Sequence, residues 1–479
     1  MLGPTALVMV IITTYLMITL FVGIYGYKFS KKSVTDYFLA DRKIGTFVLF
    51  FTLASTNFSA FTFLGFSGSA YEMGYSFYGL MAFGTSFFAL SFYIIGRKVR
   101  KLGAENGYIT PPELIGSETD SYLLRILFLT VMVIFTLPYL AIQPMSAGYV
   151  LTTLTDGVIP YFWGAVFLTF FIIIYVFLGG MRSIAWTDVL QGLMVFSFLL
   201  IAVLVVASSL GGVSEAHAQA ETVEPNIFIR ESSVSVRIWF SYTLLWSLCN
   251  PMFPQLFQRF FMADSDKALK RSMIIFPIVV SILFLFPVMI GVMGRGAIPG
   301  LSPTDADSIL PLLLERYSPL WLSALIMSGG FAAFMSTADS QLLTLSSMFT
   351  RDVFHNLGPS WEKFDYKMGH VMVIVLALVG LALAYRPPAT IFTIVTWAFT
   401  GLAILYPITL GVLYFDVDSK ACILSIVTGL ILVICYNYRI LPTFGFLPAI
   451  PIVALSTSIL LVSNHLIKSQ DRKVNQGKI

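Results

Sequence analysis

Charged residues are scarce in this 479-residue chain: Asp, Glu, Lys and Arg make up 11% of it, whereas 57% of its residues are hydrophobic. A soluble domain carries roughly 25% charged residues, because water must wet its surface. A single water-bounded core cannot hide this much apolar surface, so we expect lipid to solvate most of the chain. The net charge of only +4 gives no reason to expect a nucleic-acid partner.

Cysteine and histidine are scarce as well. The three cysteines, Cys249, Cys422 and Cys435, form no CxxC pair, which argues against a disulfide framework or a zinc site. The four histidines fall in predicted loops or at the ends of predicted spans, away from any membrane-buried metal site or proton relay. The absence of HExxH, GxSxG and Walker-type motifs excludes ATP-driven pumping by this chain alone and most intramembrane proteolysis. We therefore do not expect an enzyme.

Long apolar runs fill the chain instead. A helix needs about 20 apolar residues to cross the hydrocarbon layer, and about thirteen runs approach that length. The first run lacks the charged start and small-residue cleavage site of a signal peptide, so we expect a retained helix. The runs lie at approximately 6–26, 46–70, 75–96, 124–151, 157–178, 184–209, 238–261, 272–294, 320–349, 369–385, 389–413, 421–438 and 444–466.

The positions of lysine and arginine predict the orientation of these spans. If the N-terminus lies outside, six of the 29 Lys and Arg residues face out, which leaves 23, Arg259 among them, on the cytoplasmic side. A miscounted helix would invert every later loop and destroy this asymmetry. We expect a multi-pass protein of the cell membrane, with the lipid bilayer as its surroundings and its C-terminus in the cytoplasm. The six outer residues are Arg230, Arg237, Arg295, Arg316, Arg386 and Arg439.

Two of the predicted spans carry helix-breaking residues near their middle. The second span contains the polar segment STNFS at 55–59, and the seventh contains Asn250, Pro251 and Pro254. Proline removes a backbone donor, and Asn, Ser and Thr offer the backbone other partners. The two spans are five apart, as corresponding members of two inverted five-helix sets are, and such interrupted helices point to a transporter site. For each span alone, a packing face of small residues or a simple kink is the alternative.

Polar side chains on two other spans also indicate function. Asp188 and Asp339 are both expected in the cytoplasmic half of the membrane, where an acidic group is unfavourable unless it is hydrated or paired. An interfacial position beside Arg182 is the alternative for Asp188. On the ninth span, Ala333, Ser336, Thr337 and Ser340 recur at helical spacing and so share one face. Their hydroxyls, set beside carbonyls freed by a broken helix, suit an alkali cation, with small-residue packing as the alternative.

Four segments carry a resemblance to a known family. The chain resembles the sodium/solute symporter family, whose members include sodium-coupled proline, pantothenate, sialic acid and sugar transporters. The resemblance implies an all-α membrane protein with about 13 transmembrane helices and a LeuT-type core of two inverted five-helix repeats. The repeats would occupy 46–211 and 212–413, flanked by 1–45 and 414–479. The segments are ASTNFSAFTFLGFSG (54–68), GGMRSIAWTDVLQG (179–192), QRFFMADSDKALKRS (258–272) and GGFAAFMSTADSQLLTLSS (329–347).

The resemblance also implies ion sites, with Na⁺ as the coupling ion. A second site, for a cation or a proton, maps onto Asp188, Asp339 and Ser340, where Asp339 replaces a hydroxyl of the two-sodium members. The principal sodium site maps onto Ser55, Phe58, Ala333, Ser336 and Thr337.

The substrate is expected to be a small organic solute held between the interrupted helices. Sodium/proline symporters have an aspartate where this chain has Asn57, and sugar transporters have a gating tyrosine where it has Gln255, so a sugar is disfavoured. Half-helix dipoles suit a carboxylate, which favours a monocarboxylate or an amino acid over a polyol. The candidate substrate residues are Asn57, Ser59, Thr62, Gln143, Trp246, Asn250 and Phe253.

Three rival functions are open at this point. A proton-coupled symporter would use Asp188 and Asp339 as carriers. A transporter-like sensor would need a signalling domain after the last span, and a channel would need a ring of repeated pore residues. No obligate protein partner is implied by any of these patterns.

Overall fold

The computed structural model describes residues 3–28, 33–229, 234–358 and 364–476, so Arg230 lies outside the described residues. Within them the backbone is helical, and its one β-type pairing is an isolated bridge between Ile44 and Ala263. The helices are α1 (Pro4–Tyr27), α2 (Val34–Leu39), α3 (Thr46–Asn57), α4 (Phe66–Met73), α5 (Ser76–Phe88), α6 (Leu90–Asn106), α7 (Pro111–Glu118), α8 (Tyr122–Leu154), α9 (Tyr161–Ser209), α10 (Val213–Val223), α11 (Val236–Cys249), α12 (Pro254–Met262), α13 (Asp266–Ala297), α14 (Ile309–Tyr317), α15 (Leu320–Met348), α16 (Asp365–Ala384), α17 (Ile391–Leu402), α18 (Leu405–Tyr414), α19 (Ser419–Asn437) and α20 (Ala449–Gln476).

Ten helices in the described part of the chain are long and apolar enough to cross a membrane, or eleven if a bent pair is counted as one span. The expected thirteen spans are therefore not confirmed. Two predicted spans fall short for physical reasons. The apolar helix Tyr161–Phe177 is shorter than a typical span, and the seventh predicted span is divided between α11, with 14 residues, and α12, with nine.

Both predicted helix interruptions are present in the structure. Helix α3 ends at Asn57, and the helix that follows, Phe61–Met73, is bent away from it by 60°. Helix α11 ends at Cys249, passes through a 3₁₀ turn at Asn250–Met252, and restarts as α12 after the extended residue Phe253. Proline at the start of α12 fits a new first turn, because the N–H groups there have no intrahelical acceptor.

Two glycines permit the close packing around these breaks. Gly180 has φ +57° inside α9 and so divides the fifth predicted span from the sixth; a Cβ there would also lie 2.6 Å from the Tyr37 ring. On α13, a Cβ at Gly291 would lie 2.2 Å from the carbonyl oxygen of Ser67 on α4. The backbone of α13 therefore sits directly against the second half of the interrupted helix.

Helix α15 is the most enclosed of the spanning helices, with 78% of its apolar window buried inside the protein. It packs against α3, α8 and α9, and α12 also contacts it. Helices α19 and α20 pack chiefly on each other, at the edge of the bundle. The face of α15 that carries Ser336 and Thr337 is thereby brought against the interrupted helix rather than lipid.

Outside the spanning helices, a 3₁₀ turn at Asp305–Ser308 connects two elements of the core. A Cβ at Gly68 on α4 would lie 2.9 Å from the backbone of Asp307, so the turn rests directly on that helix. The Asp307 carboxylate accepts a hydrogen bond of 2.9 Å from the Ile391 N–H at the start of α17. Burial raises the pKa of Asp307 to about 7.

This raised pKa predicts how stability depends on pH. The folded protein holds the Asp307 proton more tightly than the unfolded chain, so this group's contribution to stability falls as the pH rises from about 4 to about 7. Between pH 5 and pH 7 this loss of stability amounts to about 2 kcal/mol at most. We expect Asp307→Asn to remove it. Thermal unfolding of the purified protein in detergent at both pH values measures this change in stability. Asp305→Asn, at an exposed neighbour, is the control; equal pH dependence in wild type and Asp307→Asn would contradict the prediction.

Candidate functional site

The centre of the site is a direct contact between α15 and the end of α3. The Ser336 hydroxyl donates to the Ser55 carbonyl at 2.9 Å, and the Thr337 hydroxyl donates to the Thr56 carbonyl at 3.2 Å. Ser336 also lies 3.2 Å from the Ala333 carbonyl of its own helix. The spacing of Ser336 and Thr337 on α15 thus matches two consecutive carbonyls at the point where α3 stops.

This contact follows from the helix break. Because α3 ends at Asn57, the carbonyls of Ser55 and Thr56 lie in the last turn of the helix, where acceptors lose their regular partners. Phe58 closes that turn by donating its N–H to the Ala54 carbonyl at 2.9 Å and to the Ser55 carbonyl at 3.1 Å. Ser55 and Thr56 are buried, and side chains of α15 supply donors to both of their carbonyls.

The atoms gathered here fit an alkali cation. They are backbone carbonyl and hydroxyl oxygens, the hard ligands that such ions prefer over the nitrogen and sulfur ligands of transition metals. The hydroxyl of Ser55 is buried and has no hydrogen-bond partner, so it is an additional oxygen with free acceptor capacity. Ser55, Ala333, Ser336 and Thr337 are brought together here, and Thr56 joins them although the sequence pattern did not predict it.

A buried ion cluster lies directly beside these oxygens, on the side of α12. The Arg259 guanidinium lies 3.4 Å from an Asp188 carboxylate oxygen, and both side chains are fully buried. Thr52 donates its hydroxyl to the same carboxylate oxygen of Asp188. Arg182, by contrast, pairs with Asp36 at 2.5 Å. The interfacial interpretation of Asp188 is therefore wrong, and Arg259, which was counted among the cytoplasmic charges, is fully buried among the helices.

Asp339 and Ser340 continue this cluster on α15. The Ser340 hydroxyl lies 2.5 Å from Arg259 Nη2 and 3.1 Å from Asp339 Oδ1. It also lies 3.1 Å from the Thr56 hydroxyl on α3. Of the three residues expected at a second site, Asp188 and Ser340 thus contact one guanidinium, and Asp339 joins them through Ser340.

A small cavity of about 20 Å³, enough for about one water molecule, lies next to the two helix breaks. Four of the predicted substrate residues, Asn57, Thr62, Trp246 and Asn250, line it. None of its lining side chains is charged, and most are apolar or aromatic. The remaining lining residues are Phe61, Phe66, Met81, Thr85, Tyr139, Phe284 and Phe399.

The other predicted substrate residues support the cavity wall. Tyr139 donates its hydroxyl to Ser59 at 2.7 Å, and the Gln143 side chain accepts from the Ala60 N–H at 3.1 Å. The Phe253 ring packs against Tyr139, with ring centroids 5.0 Å apart. Gln255, the predicted gate, is buried outside the cavity lining, and its side-chain oxygen has no hydrogen-bond partner.

The sequence pattern did not predict Tyr139 and Arg259 as site residues, although the position of each in the sequence indicated it. Tyr139 precedes Gln143 by four residues, so the two must share a helix face. Arg259 lies five residues after Pro254, too close to the helix break to be a loop residue. Phe399 carries no comparable signal, because aromatic residues are common on every span.

Comparison with known proteins gives the family context of this geometry. Residues 37–429 match the family model for the sodium:solute symporter family. The sodium/pantothenate symporter of Escherichia coli (strain K12) is 27% identical, over 92% of this chain and 93% of that protein. The sodium/proline symporter of Staphylococcus aureus (strain JH9) is 25% identical, over 96% and 92%.

A solved structure shows the same fold. The substrate-bound, outward-open state of a Na⁺-coupled sialic acid symporter superposes with a TM-score of 0.80. The superposition covers 95% of this chain and 98% of that one, at 21% sequence identity. At this level of identity the likeness concerns the fold alone.

The contact between α3 and α15 predicts the effect of removing its hydroxyls. We expect Ser336→Ala and Thr337→Ala each to raise the half-saturating Na⁺ concentration about tenfold or more, because each removes a polar contact to a charged group. The half-saturating Na⁺ concentration is measured from the Na⁺-dependent thermal stabilisation of the purified protein in detergent. Ser328→Ala is the matched control, since that hydroxyl bonds only to the Ala324 carbonyl of the same helix. An unchanged Na⁺ dependence in both variants would reject the site.

Proposed function

This chain belongs to the sodium:solute symporter family, and we propose that it moves a small monocarboxylate or amino acid across the cell membrane together with Na⁺, by alternating access. It is a sodium-coupled solute transporter rather than an enzyme, with Na⁺ as its coupling ion. The observation that carries the proposal is the contact of Ser336 and Thr337 with the carbonyls at the break of α3.

Ser55, Ala333, Ser336 and Thr337, with the Thr56 carbonyl, form the principal sodium site in this proposal. Phe58, whose N–H closes the end of α3, completes it through its own carbonyl. Bound Na⁺ supplies a positive charge that several oxygens of α3 and α15 share. Because these oxygens belong to both helices, ion binding favours the arrangement in which α3 and α15 are held together. Since α3 also borders the cavity through Asn57, ordering this helix end orders the solute site as well.

The interrupted helices support two inverted repeats, at 46–211 and 212–413, with 1–45 and 414–479 outside them. Helix α3 opens the first repeat and α11 opens the second, and each ends at a break next to the same cavity. The excess of Lys and Arg in alternate loops supports an N-terminus outside and a C-terminus in the cytoplasm. In this orientation each Na⁺ that enters with the solute gains about 2.3 kcal/mol per 100 mV of membrane potential.

The chemistry of the cavity supports a small solute with one polar end and an apolar body. The amides of Asn57 and Asn250 and the hydroxyl of Thr62 can donate to a carboxylate, while Trp246 and Phe399 offer apolar walls. The Ala60 N–H is already bonded to Gln143, so these side chains rather than that backbone group hold the carboxylate. A polyol would leave several hydroxyls facing aromatic rings, which is unfavourable.

Gln255 serves as the gate in this proposal. It is buried on α12, one turn before Arg259, whose Nη1 lies 3.3 Å from the Gln255 carbonyl. A change in the position of α12 therefore moves the gate and the ion cluster together. Ser59, Gln143 and Phe253 hold Tyr139 and the break of α3 in place, which keeps the cavity wall fixed while the gate moves.

Uptake into proteoliposomes tests the proposed function. We expect an inward Na⁺ gradient, but not an equal K⁺ gradient, to drive accumulation of a radiolabelled solute from a panel of small monocarboxylates, neutral amino acids including proline, pantothenate and hexoses. Monocarboxylates or amino acids should be accumulated and hexoses should not. Asn57→Ala should raise the solute KM, whereas Asp305→Asn, on an exposed turn and outside the cavity lining, should not. Accumulation of hexoses alone would contradict the substrate class, and uptake independent of Na⁺ would contradict the coupling.

A further inference from the structure

A crevice on the outer side of the helix bundle is formed by a different set of residues from the solute cavity. It has a volume of about 320 Å³ and lies between the α5–α6 segment, α11 and α18. Its rim is apolar and open, since the side chains of Phe87, Leu90, Ile94 and Phe240 are between 43% and 54% exposed. In a membrane, this crevice therefore faces lipid. The other lining residues are Ser91, Thr243, Leu244, Ser247, Leu248 and Tyr406.

The shape of the crevice favours a chain-like occupant. Its α11 lining, from Phe240 to Leu248, extends over about 12 Å of helix at 1.5 Å per residue. These residues recur at the spacing of one helix face, so the crevice is a groove along the helix rather than a round pocket. Trp246, on another face of the same helix, lines the solute cavity. An occupant of the crevice would therefore contact α11 on the side away from the solute.

The crevice continues along α6 to a group of basic side chains. Leu90 and Ile94 line the crevice itself. Arg97, Lys98 and Lys101 follow them at the helical spacing that keeps residues on one face. Lys98 lies about 12 Å along the helix axis from Leu90, at 1.5 Å per residue. A hydrocarbon chain in the crevice would therefore place a polar headgroup beside these cations.

An aromatic ring holds Lys98 at this end of the crevice. Lys98 Nζ lies 5.1 Å from the centroid of the Tyr414 ring, at the end of α18. The Tyr414 hydroxyl donates to the Ile94 carbonyl, which fixes the ring against α6. Among the described residues, Lys98 forms no ion pair with a carboxylate. Its ammonium is therefore positioned by the ring but still lacks a counter-ion.

Basic residues outnumber acidic ones around this lysine. Arg97 and Arg100 both pair with Asp266 at the start of α13, so that carboxylate is already compensated. Lys101 lies 3.9 Å from Glu105, but both side chains are more than half exposed, and such a pair is weak. Basic clusters at a membrane boundary attract anionic lipids. The first turns of α13 add three exposed basic residues, Lys267, Lys270 and Arg271.

We propose that the crevice and its basic end bind one anionic phospholipid, with an acyl chain along α6 and α11 and the phosphate at Lys98 and Arg97. A zwitterionic phospholipid fits the apolar part equally well, but its headgroup carries no net charge to match the cations. In the orientation proposed above, the basic end lies at the cytoplasmic face, so the lipid comes from the inner leaflet. The inference does not depend on the sodium site.

Lipid binding to the purified full-length protein tests the inference. Native mass spectrometry in a non-ionic detergent, during titration with dioleoylphosphatidylglycerol or dioleoylphosphatidylcholine, gives the dissociation constant of the first bound lipid. We expect the anionic lipid to bind at least about fivefold more tightly than the zwitterionic one. Lys98→Gln should weaken binding of the anionic lipid about fivefold and leave that of the zwitterionic lipid unchanged. Leu90→Trp, which fills the crevice, should weaken binding of both lipids. Lys420→Gln, at an exposed lysine at the start of α19, is the matched control and should change neither.

Each contrary result overturns the inference. Equal affinity of the wild-type protein for the two lipids would show that the basic end does not select a headgroup. Unchanged lipid binding in Lys98→Gln or Leu90→Trp, eluting as a single folded species on size exclusion, would place the lipid elsewhere. Displacement of the anionic lipid by inorganic phosphate would indicate a site for a free anion instead. The wild-type comparison stands even if a variant does not fold, and none of these outcomes bears on sodium coupling.

Discussion

The structure depends on one constraint: a backbone carbonyl that loses its helical partner in the middle of a membrane must find another one. Helix α3 ends at Asn57, and α15 supplies donors to the buried carbonyls of its last turn through Ser336 and Thr337. The same oxygens that need donors can bind a cation. The break is therefore an unfavourable feature of the fold that also places oxygens at the proposed sodium site.

The charges next to this break are the second element of the account. Asp188, Arg259 and Asp339 lie on three different helices, and none of them is exposed to solvent. Buried charges are tolerated where partners surround them, and removing one partner leaves another uncompensated. Helices α9, α12 and α15 are thus linked electrostatically next to the proposed sodium site. Motion of any one of them would change the environment of an ion at that site, which is how the proposal couples solute movement to Na⁺.

Much of the site could be predicted from the sequence because it obeys helical spacing. Ser336 and Thr337 are identified by their shared face with Ala333, and both interruptions by polar and proline residues in the middle of apolar runs. The partners of these residues were harder to predict. The Thr56 carbonyl accepts from Thr337 only because of the exact end of α3, and Arg259 was counted among the cytoplasmic charges because arginine is rarely buried. The span count falls short of thirteen at the interrupted α11–α12 segment and at Tyr161–Phe177, since neither is a long continuous helix.

The most direct test of the account is whether Na⁺ holds the end of α3 against α15. Hydrogen–deuterium exchange of the purified protein, compared in Na⁺ and in K⁺ at equal ionic strength, reports on the backbone of both segments. The account predicts slower exchange in Na⁺ for peptides that cover residues 54–60 and 333–341, and little change for peptides of α19. Equal exchange of both segments in the two salts would show that the cation does not join these helices.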